Sequence, residues 1–192
     1  TELLGKPVAD KINEDLKEQI ATIKAAGVVP TLAVVRVGAR EDDLAYERGL
    51  LKKFESLELK VQVHELASDC SEEELEAKIT ALNEDKDVHG ILLFRPLPKH
   101  LSEERIKDLI CSSKDVDSMG TGSLAGVYAG SKDVFAPCTA QAVIEILKFY
   151  GIELTGKKVT VVGRSLVIGK PVSMLLIKEN ATVTVCHTRT KD

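Results

Sequence analysis

Gly156-Lys157-Lys158-Val159-Thr160-Val161-Val162-Gly163-Arg164-Ser165-Leu166-Val167-Ile168-Gly169-Lys170-Pro171 reads as strand, glycine turn and helix start. Val159, Val161 and Val162 make a short apolar run suited to a strand covered on both faces, and Gly163 lets the chain turn tightly where that strand ends. A helix N-terminus carries unpaired N–H groups and partial positive charge, so residues 165–171 have the means to hold a pyrophosphate. Val172, Leu175 and Leu176 continue on one helical face, and Ala181-Thr182-Val183-Thr184-Val185-Cys186 reads as a second strand. A βαβ unit is the simplest account. The glycine spacing is not G-x-G-x-x-G, so the turn alone is a weak sign of a nucleotide.

Upstream, helix and strand signals alternate. Val8, Ile12, Leu16, Ile20 and Ile23 fall at helical spacing, Gly27 ends the pattern, and residues 31–37 read as a strand. Asp42 or Asp43 is placed to cap a helix bearing Leu44, Leu51, Phe54 and Leu57; Leu59, Val61 and Val63 then alternate with polar residues as a strand. Ser71 with Glu74 forms a capping box for a helix bearing Leu75, Ile79 and Leu82, followed by a buried strand over 88–94. Three helix–strand units make a parallel α/β domain. After a short helix near 106–110, residues 112–136 are rich in Gly, Ser and Asp without a sustained period and read as a long functional loop or linker. Thr139 is placed to cap a helix with Val143, Ile146, Leu147 and Tyr150 that leads into the strand at Lys158.

The bulk properties narrow the function. A chain of 192 residues buries a sizeable core. Its net charge of −4 is spread over 26 basic and 30 acidic residues, with no basic block or aromatic–basic interleaving, which argues against a nucleic-acid partner. No apolar run approaches a membrane span and no charged-then-apolar leader precedes Leu3, so no membrane association and a soluble, cytoplasmic protein are expected. Cys70, Cys111, Cys138 and Cys186 lack C-x-x-C spacing; buried thiols are expected, with no metal site and no disulfide framework. Thr1 in place of Met, and a stop at Asp192 where a further helix should begin, give the expectation that both ends continue in a longer chain.

PCTAQA (137–142), GRSLVIGKP (163–171), NATVTVCHTRT (180–190) and KDVDSM (114–119), in that arrangement, resemble the methylenetetrahydrofolate dehydrogenase/cyclohydrolase family. GILLFRPLP (90–98) and the segment around Tyr46 extend the resemblance over essentially the whole chain. It implies two parallel-sheet α/β domains, the second a Rossmann-like dinucleotide-binding domain incomplete at its C-terminus. The expected division is 1–130 for a folate-binding, catalytic domain and 131–192 for the start of an NAD(P)-binding domain. It also implies tetrahydrofolate one-carbon derivatives as substrates and a homodimer.

In that family a tyrosine of a Y-x-x-x-K segment stacks on folate, and its lysine serves the water-dependent cyclohydrolase step. A glutamine of a GILVQLPLP segment supports the lysine, and the second aspartate of KDVD holds the pterin. Tyr46 matches the tyrosine and Asp117 the aspartate, and these two are the candidate catalytic and substrate-binding residues. Leu50 stands where the family has lysine and Phe94 where it has glutamine, followed by Arg95 and Pro96, so Phe94, Arg95 and Pro96 join the candidate substrate-binding set. Tyr46 as a half-buried packing residue, Phe94 as core packing and Asp117 as a loop aspartate capping nearby amides are the ordinary structural alternatives.

Charge decides what the paired departure means. Removing hydride from a methylene carbon between two nitrogens leaves a methenyl cation, which a nearby ammonium does not help, so Leu50 is compatible with dehydrogenation. Cyclohydrolysis needs a polar proton-handling group within hydrogen-bond reach, and losing one costs about 10²–10⁴ in rate. Lys52 lies about 200° round the helix from Leu50, and the Arg95 guanidinium is a poor base. Arg164 and Ser165 stand where a 2′-phosphate could be met, and the second strand ends in Cys186-His187-Thr188-Arg189 without a carboxylate, which favours NADP, with NAD as the alternative. The candidate cofactor-binding residues are Thr139, Gly163, Arg164, Ser165, Ile168, Gly169, Pro171, His187 and Thr188. The expected activity is oxidation of 5,10-methylenetetrahydrofolate with NADP, the cyclohydrolase step being in doubt. The alternatives are a fully bifunctional enzyme and a non-catalytic folate or nucleotide binder.

Overall fold

The computed structural model describes residues 2–191. The chain divides into two compact units, one of Ile12–Asp115 and one joining the residues before Ile12 to those from Val116 onward. Helix α1 (Gly5–Ala25) begins in the second and continues in the first.

In the Ile12–Asp115 unit, strands β1 (Thr31–Val37), β2 (Lys60–Leu66) and β3 (Gly90–Leu93) form a parallel sheet in the order β2-β1-β3. Helix α2 (Glu41–Ser56) connects β1 to β2 and α3 (Glu72–Glu84) connects β2 to β3. Every residue of central β1 is buried, as expected where helices cover both faces of a parallel sheet. The one charge in it, Arg36, is 6% exposed. Its guanidinium donates to Glu47 at 2.7 Å, Glu65 at 2.9 Å and the Gly38 carbonyl at 2.5 Å. Those partners make a buried cation tolerable and tie α2 and β2 to the central strand.

Helix α3 carries the predicted capping box, Ser71 accepting from the Glu74 amide while the Glu74 carboxylate accepts from the Ser71 amide, and it buries Leu75, Ile79 and Leu82. The cap of α2 departs from expectation. Arg40, in extended conformation, occupies that position without a side-chain cap, and Asp42 inside the first turn instead pairs with the Arg40 guanidinium. After β3 the Phe94 amide prolongs the ladder to Val35 at 2.9 Å. A short helix α4 (Glu103–Ile106) and a 3₁₀ turn (Lys107–Leu109) follow, and the returning chain then bridges Asp115 to Ile91.

The other unit contains α5 (Thr121–Ala129), α6 (Cys138–Phe149), β4 (Lys158–Val162), α7 (Gly169–Lys178) and β5 (Thr182–Cys186). Strands β4 and β5 pair in parallel, with α7 as their connection. Ala140, Ile144, Leu154, Val172 and Leu176 form the core, with Val159, Val161 and Val183 packed against it. The Tyr150 hydroxyl pins the chain's beginning, accepting from the Leu4 amide at 3.1 Å and donating to the Leu4 carbonyl at 2.9 Å.

Four further expectations need correction. The stretch 112–136 is not one loop, since it contains α5; the small residues of TGSLAGVYA give no amphipathic period, yet Ser123 and Val127 are buried one turn apart. Thr139 does not cap α6, which starts at Cys138 after Pro137. Among the described residues β4 is not covered on both faces: Val159 and Val161 are half-buried while Val162 is 85% exposed. Of the four thiols only Cys70 is buried; Cys138 is exposed. Among the described residues no helix is long and apolar enough to cross a membrane.

Candidate active site

Tyr46 lies on α2, one residue before Glu47, which the Arg36 cluster anchors. Its ring meets Phe94, just past the end of β3, with centroids 5.4 Å apart and planes tilted by 60°. Such a tilt suits the quadrupoles of two aromatic rings. Phe94 is buried while Tyr46 is 61% exposed, so the buried ring backs an aromatic face that remains accessible. Leu50 follows Tyr46 by one helical turn and is half-buried. Arg95 donates to Glu103 at 3.4 Å. Pro96 is exposed, and its carbonyl accepts from Arg40 at 3.3 Å. Position 40 thus reaches the segment after β3, a link that sequence spacing gave no reason to expect.

Asp117 belongs to the other unit. Its carboxylate accepts from the Cys138 amide at 3.2 Å, so an aspartate remote in sequence satisfies a donor at the start of α6 that Thr139 does not. Thr139 itself is exposed in that first turn. The Cys138 sulfur donates to the Val116 carbonyl at 3.5 Å. Desolvation of the sulfur, and then the neighbouring Asp117 charge, push this thiol up to about 11, which keeps it protonated at neutral pH. Ser118, next to Asp117, has φ of 53°. It is buried, and among the described residues its hydroxyl has no hydrogen-bond partner. No sequence signal marked it.

The turn after β4 is made mainly of backbone. The Gly163 amide donates to the Cys186 carbonyl at 2.7 Å, carrying the β4–β5 ladder one step further and setting this turn beside the start of the His187–Thr188 segment. Gly163 has φ of 128°, a value side chains rarely allow. A Cβ on Gly169 would lie 2.4 Å from the Gly163 carbonyl oxygen and 2.7 Å from the Arg164 nitrogen. Only glycine lets the start of α7 come this close to the strand end. The Ser165 Oγ accepts from the amides of Ile168 at 3.1 Å and Gly169 at 3.3 Å. Its lone pairs being so used, the hydroxyl proton is available for an outside acceptor such as a phosphate oxygen. Pro171, in the first turn of α7, lacks an amide that would have had no partner within the helix. Arg164, Ser165 and Ile168 are exposed. Thr188 is exposed too; the half-buried His187 has its Nδ1 accepting from the Arg189 amide at 3.1 Å. The close glycine approach, the Ser165 hydroxyl, Arg164 and Arg189, and the lack of a carboxylate among residues 187–191 fit a phosphorylated dinucleotide.

Fold and site together define a parallel α/β protein whose later part opens a dinucleotide-binding βαβ unit. Residues 3–117 match the model described as "Tetrahydrofolate dehydrogenase/cyclohydrolase, catalytic domain", and residues 137–192 match the NAD(P)-binding domain of the same family. The chain belongs to the tetrahydrofolate dehydrogenase/cyclohydrolase family. It is 54% identical over 190 residues to the "Bifunctional protein FolD" of Carboxydothermus hydrogenoformans, covering 99% of this chain and 66% of that protein. It thus spans about two thirds of the length of this curated relative. The crystal structure of the bifunctional enzyme FolD from Campylobacter jejuni superposes with a TM-score of 0.95 at 38% identity, covering 100% of this chain and 68% of that one. The Trypanosoma brucei FolD structure, complexed with NADP cofactor and an inhibitor, has a TM-score of 0.86 at 33% identity, covering 97% and 64%.

Proposed function

We propose that the full-length protein, in the cytoplasm and as a homodimer, oxidises 5,10-methylenetetrahydrofolate to its methenyl form with NADP, and that its cyclohydrolase step is slow. The observation that carries this reading is the Tyr46–Phe94 aromatic pair, with Leu50 one turn beyond Tyr46. Tyr46 offers an aromatic face to the folate, and Phe94 holds that face by ring packing. A methenyl cation developing there meets no ammonium from position 50, so Leu50 is compatible with hydride loss. Leu50 and Phe94 themselves offer no group to take a proton from water, a deficit of about 10²–10⁴ in rate.

Asp117 is assigned to the amino-pyrimidinone edge of the pterin, where a carboxylate accepts two N–H bonds. Residues 1–130 are assigned to folate and 131–192 to the nucleotide. The nicotinamide cofactor, when bound, supplies the hydride acceptor. Gly163, Ile168, Gly169 and Pro171 shape its phosphate cradle, Ser165 donates to phosphate, and Arg164 with Thr139, His187 and Thr188 borders the cofactor. A second reading, full bifunctionality, is favoured by the names of the relatives, called bifunctional at up to 54% identity.

The test is an assay of the full-length protein with 5,10-methylenetetrahydrofolate and NADP, following NADPH and the methenyl product separately. The expected result is NADPH formed together with methenyl product that accumulates and is lost no faster than by its spontaneous hydrolysis. Methenyl product vanishing faster than in the enzyme-free control establishes the bifunctional reading instead.

A further inference from the structure

Residues 94–96, the candidate substrate-binding stretch, are fastened at both ends within the Ile12–Asp115 unit. At the near end the Phe94 amide donates to the Val35 carbonyl of β1 at 2.9 Å. At the far end the Pro96 carbonyl accepts from Arg40 Nη1 at 3.3 Å. Strand β3 has ended at Leu93, so beyond Phe94 the sheet no longer sets the path of the chain. Arg40 itself stands on a fixed base. Its carbonyl accepts from the Leu44 amide at 3.0 Å, closing the first turn of α2. Two residues earlier, the Gly38 amide donates to the Leu66 carbonyl of β2 at 2.9 Å, and the Gly38 carbonyl accepts from the buried Arg36 at 2.5 Å. The Arg40 guanidinium is oriented as well: Nε donates to Asp42 Oδ1 at 3.2 Å, Nη2 pairs with the other Asp42 oxygen, and Nε lies 3.8 Å from the Asp43 carboxylate. A planar guanidinium gripped through two nitrogens points its third in a set direction. Here that direction ends on Pro96.

We infer that Arg40, aimed by Asp42, is a positioning residue for folate: it holds Pro96 against the start of α2 and so sets how residues 94–96 stand to the Tyr46 face. This rests on the assignment of Tyr46 and residues 94–96 to the folate. Arg40 is the N-cap of α2 and Tyr46 lies within the same helix. Two ties therefore join one helix to one short stretch, ring on ring at 5.4 Å and guanidinium on carbonyl at 3.3 Å. With the second tie gone, the stretch is free to swing about the first. A displacement of about 1 Å at a substrate contact costs as much as about 10²-fold. The Arg40 side chain is 42% exposed, so water competes for the carbonyl and the effect falls well below that ceiling.

The experiment uses the full-length protein with Arg40→Met, Arg40→Lys and Asp42→Ala, and with Arg40→Met combined with Tyr46→Leu, rates being normalised to active sites. The expected result is a rise in KM for 5,10-methylenetetrahydrofolate of about fivefold for both Arg40 variants, since an ammonium lacks the planar fork, and about threefold for Asp42→Ala. KM for NADP stays unchanged and kcat changes little. In the Tyr46→Leu background Arg40→Met adds no more than about twofold, because groups acting as one unit are not additive. An unchanged folate KM, a matching rise for NADP, additive effects, or full rescue by Arg40→Lys overturns the inference. Should Arg40→Met fail to fold, Arg40→Lys and Asp42→Ala decide by the same readings. A wild-type protein that neither turns over nor gains thermal stability from tetrahydrofolate overturns the folate reading and the inference with it; an active wild type with indifferent variants overturns the inference alone.

Discussion

The nucleotide turn and the wall near Tyr46 are built from different material. Between Gly163 and Gly169 the geometry comes from backbone: an amide completing a ladder, a hydroxyl capping two further amides, and a glycine against which no Cβ fits. At the wall, two rings and an alkyl side chain define the surface, held by ion pairs behind them. A backbone-built site keeps its shape through most side-chain changes around it. A side-chain-built site exchanges its chemistry with one or two substitutions.

The strongest attempt to break this contrast is the pair Leu50→Lys and Phe94→Gln. Together they are expected to raise the cyclohydrolase rate by about 10²-fold with dehydrogenation little altered, measured as methenyl consumption above the spontaneous rate. A gain from either substitution alone equal to that of the pair would show that the two positions do not act as a unit.

Next in size is Arg36→Met, which leaves Glu47, 12% exposed, without its cation. Denaturant unfolding should show a loss of about 3 kcal/mol, at the lower end for a broken buried pair because Glu65 is 56% exposed. Adding Glu47→Met should recover most of it. Gly169→Ala probes the backbone-built side. The new Cβ would lie 2.6 Å from the Gly163 carbonyl carbon, and no rotamer change relieves a backbone clash. A loss of about 1–3 kcal/mol is expected, together with weakened NADP binding by titration calorimetry; unchanged affinity would refute the cradle.

Ser118→Gly should act in the opposite direction. Glycine relieves a residue at φ of 53° and removes a buried hydroxyl without a partner, so stability should rise by about 1 kcal/mol in thermal unfolding. The smallest effect concerns pH. Burial, and then Lys78, depress His64 below the ordinary histidine value, with Asp85 opposing. The unfolded chain then binds the proton more readily, so the stability held above the unfolded value of about 6.5 is lost as pH falls toward the folded one. His64→Leu should flatten the fall in Tm between about pH 7 and pH 5.

Much of the fold was legible because its signals are local. The apolar spacing of α3, its Ser71–Glu74 capping box and the β4–turn–α7 run, which extends only from Lys158 to Lys178, are each local and state their geometry directly. The expectation that Leu50 and Phe94 stand in place of a polar pair came from the residues that the resemblance aligns there. Helix α5 was missed because its face is lined by small residues, for which hydrophobic periodicity carries no information. The capping of α6 was misread because its donor is satisfied from Asp117, 21 positions away.

By itself the sequence determined the α/β alternation and the family, since local apolar spacing and residue type are set before any folding. Only the tertiary structure decided that Phe94 backs Tyr46, that Arg36 is neutralised from α2 and β2, and that Arg40 reaches the Pro96 carbonyl. Each of those joins residues distant in the chain, and whether such groups meet is set by how the sheet and helices pack, which no local pattern encodes.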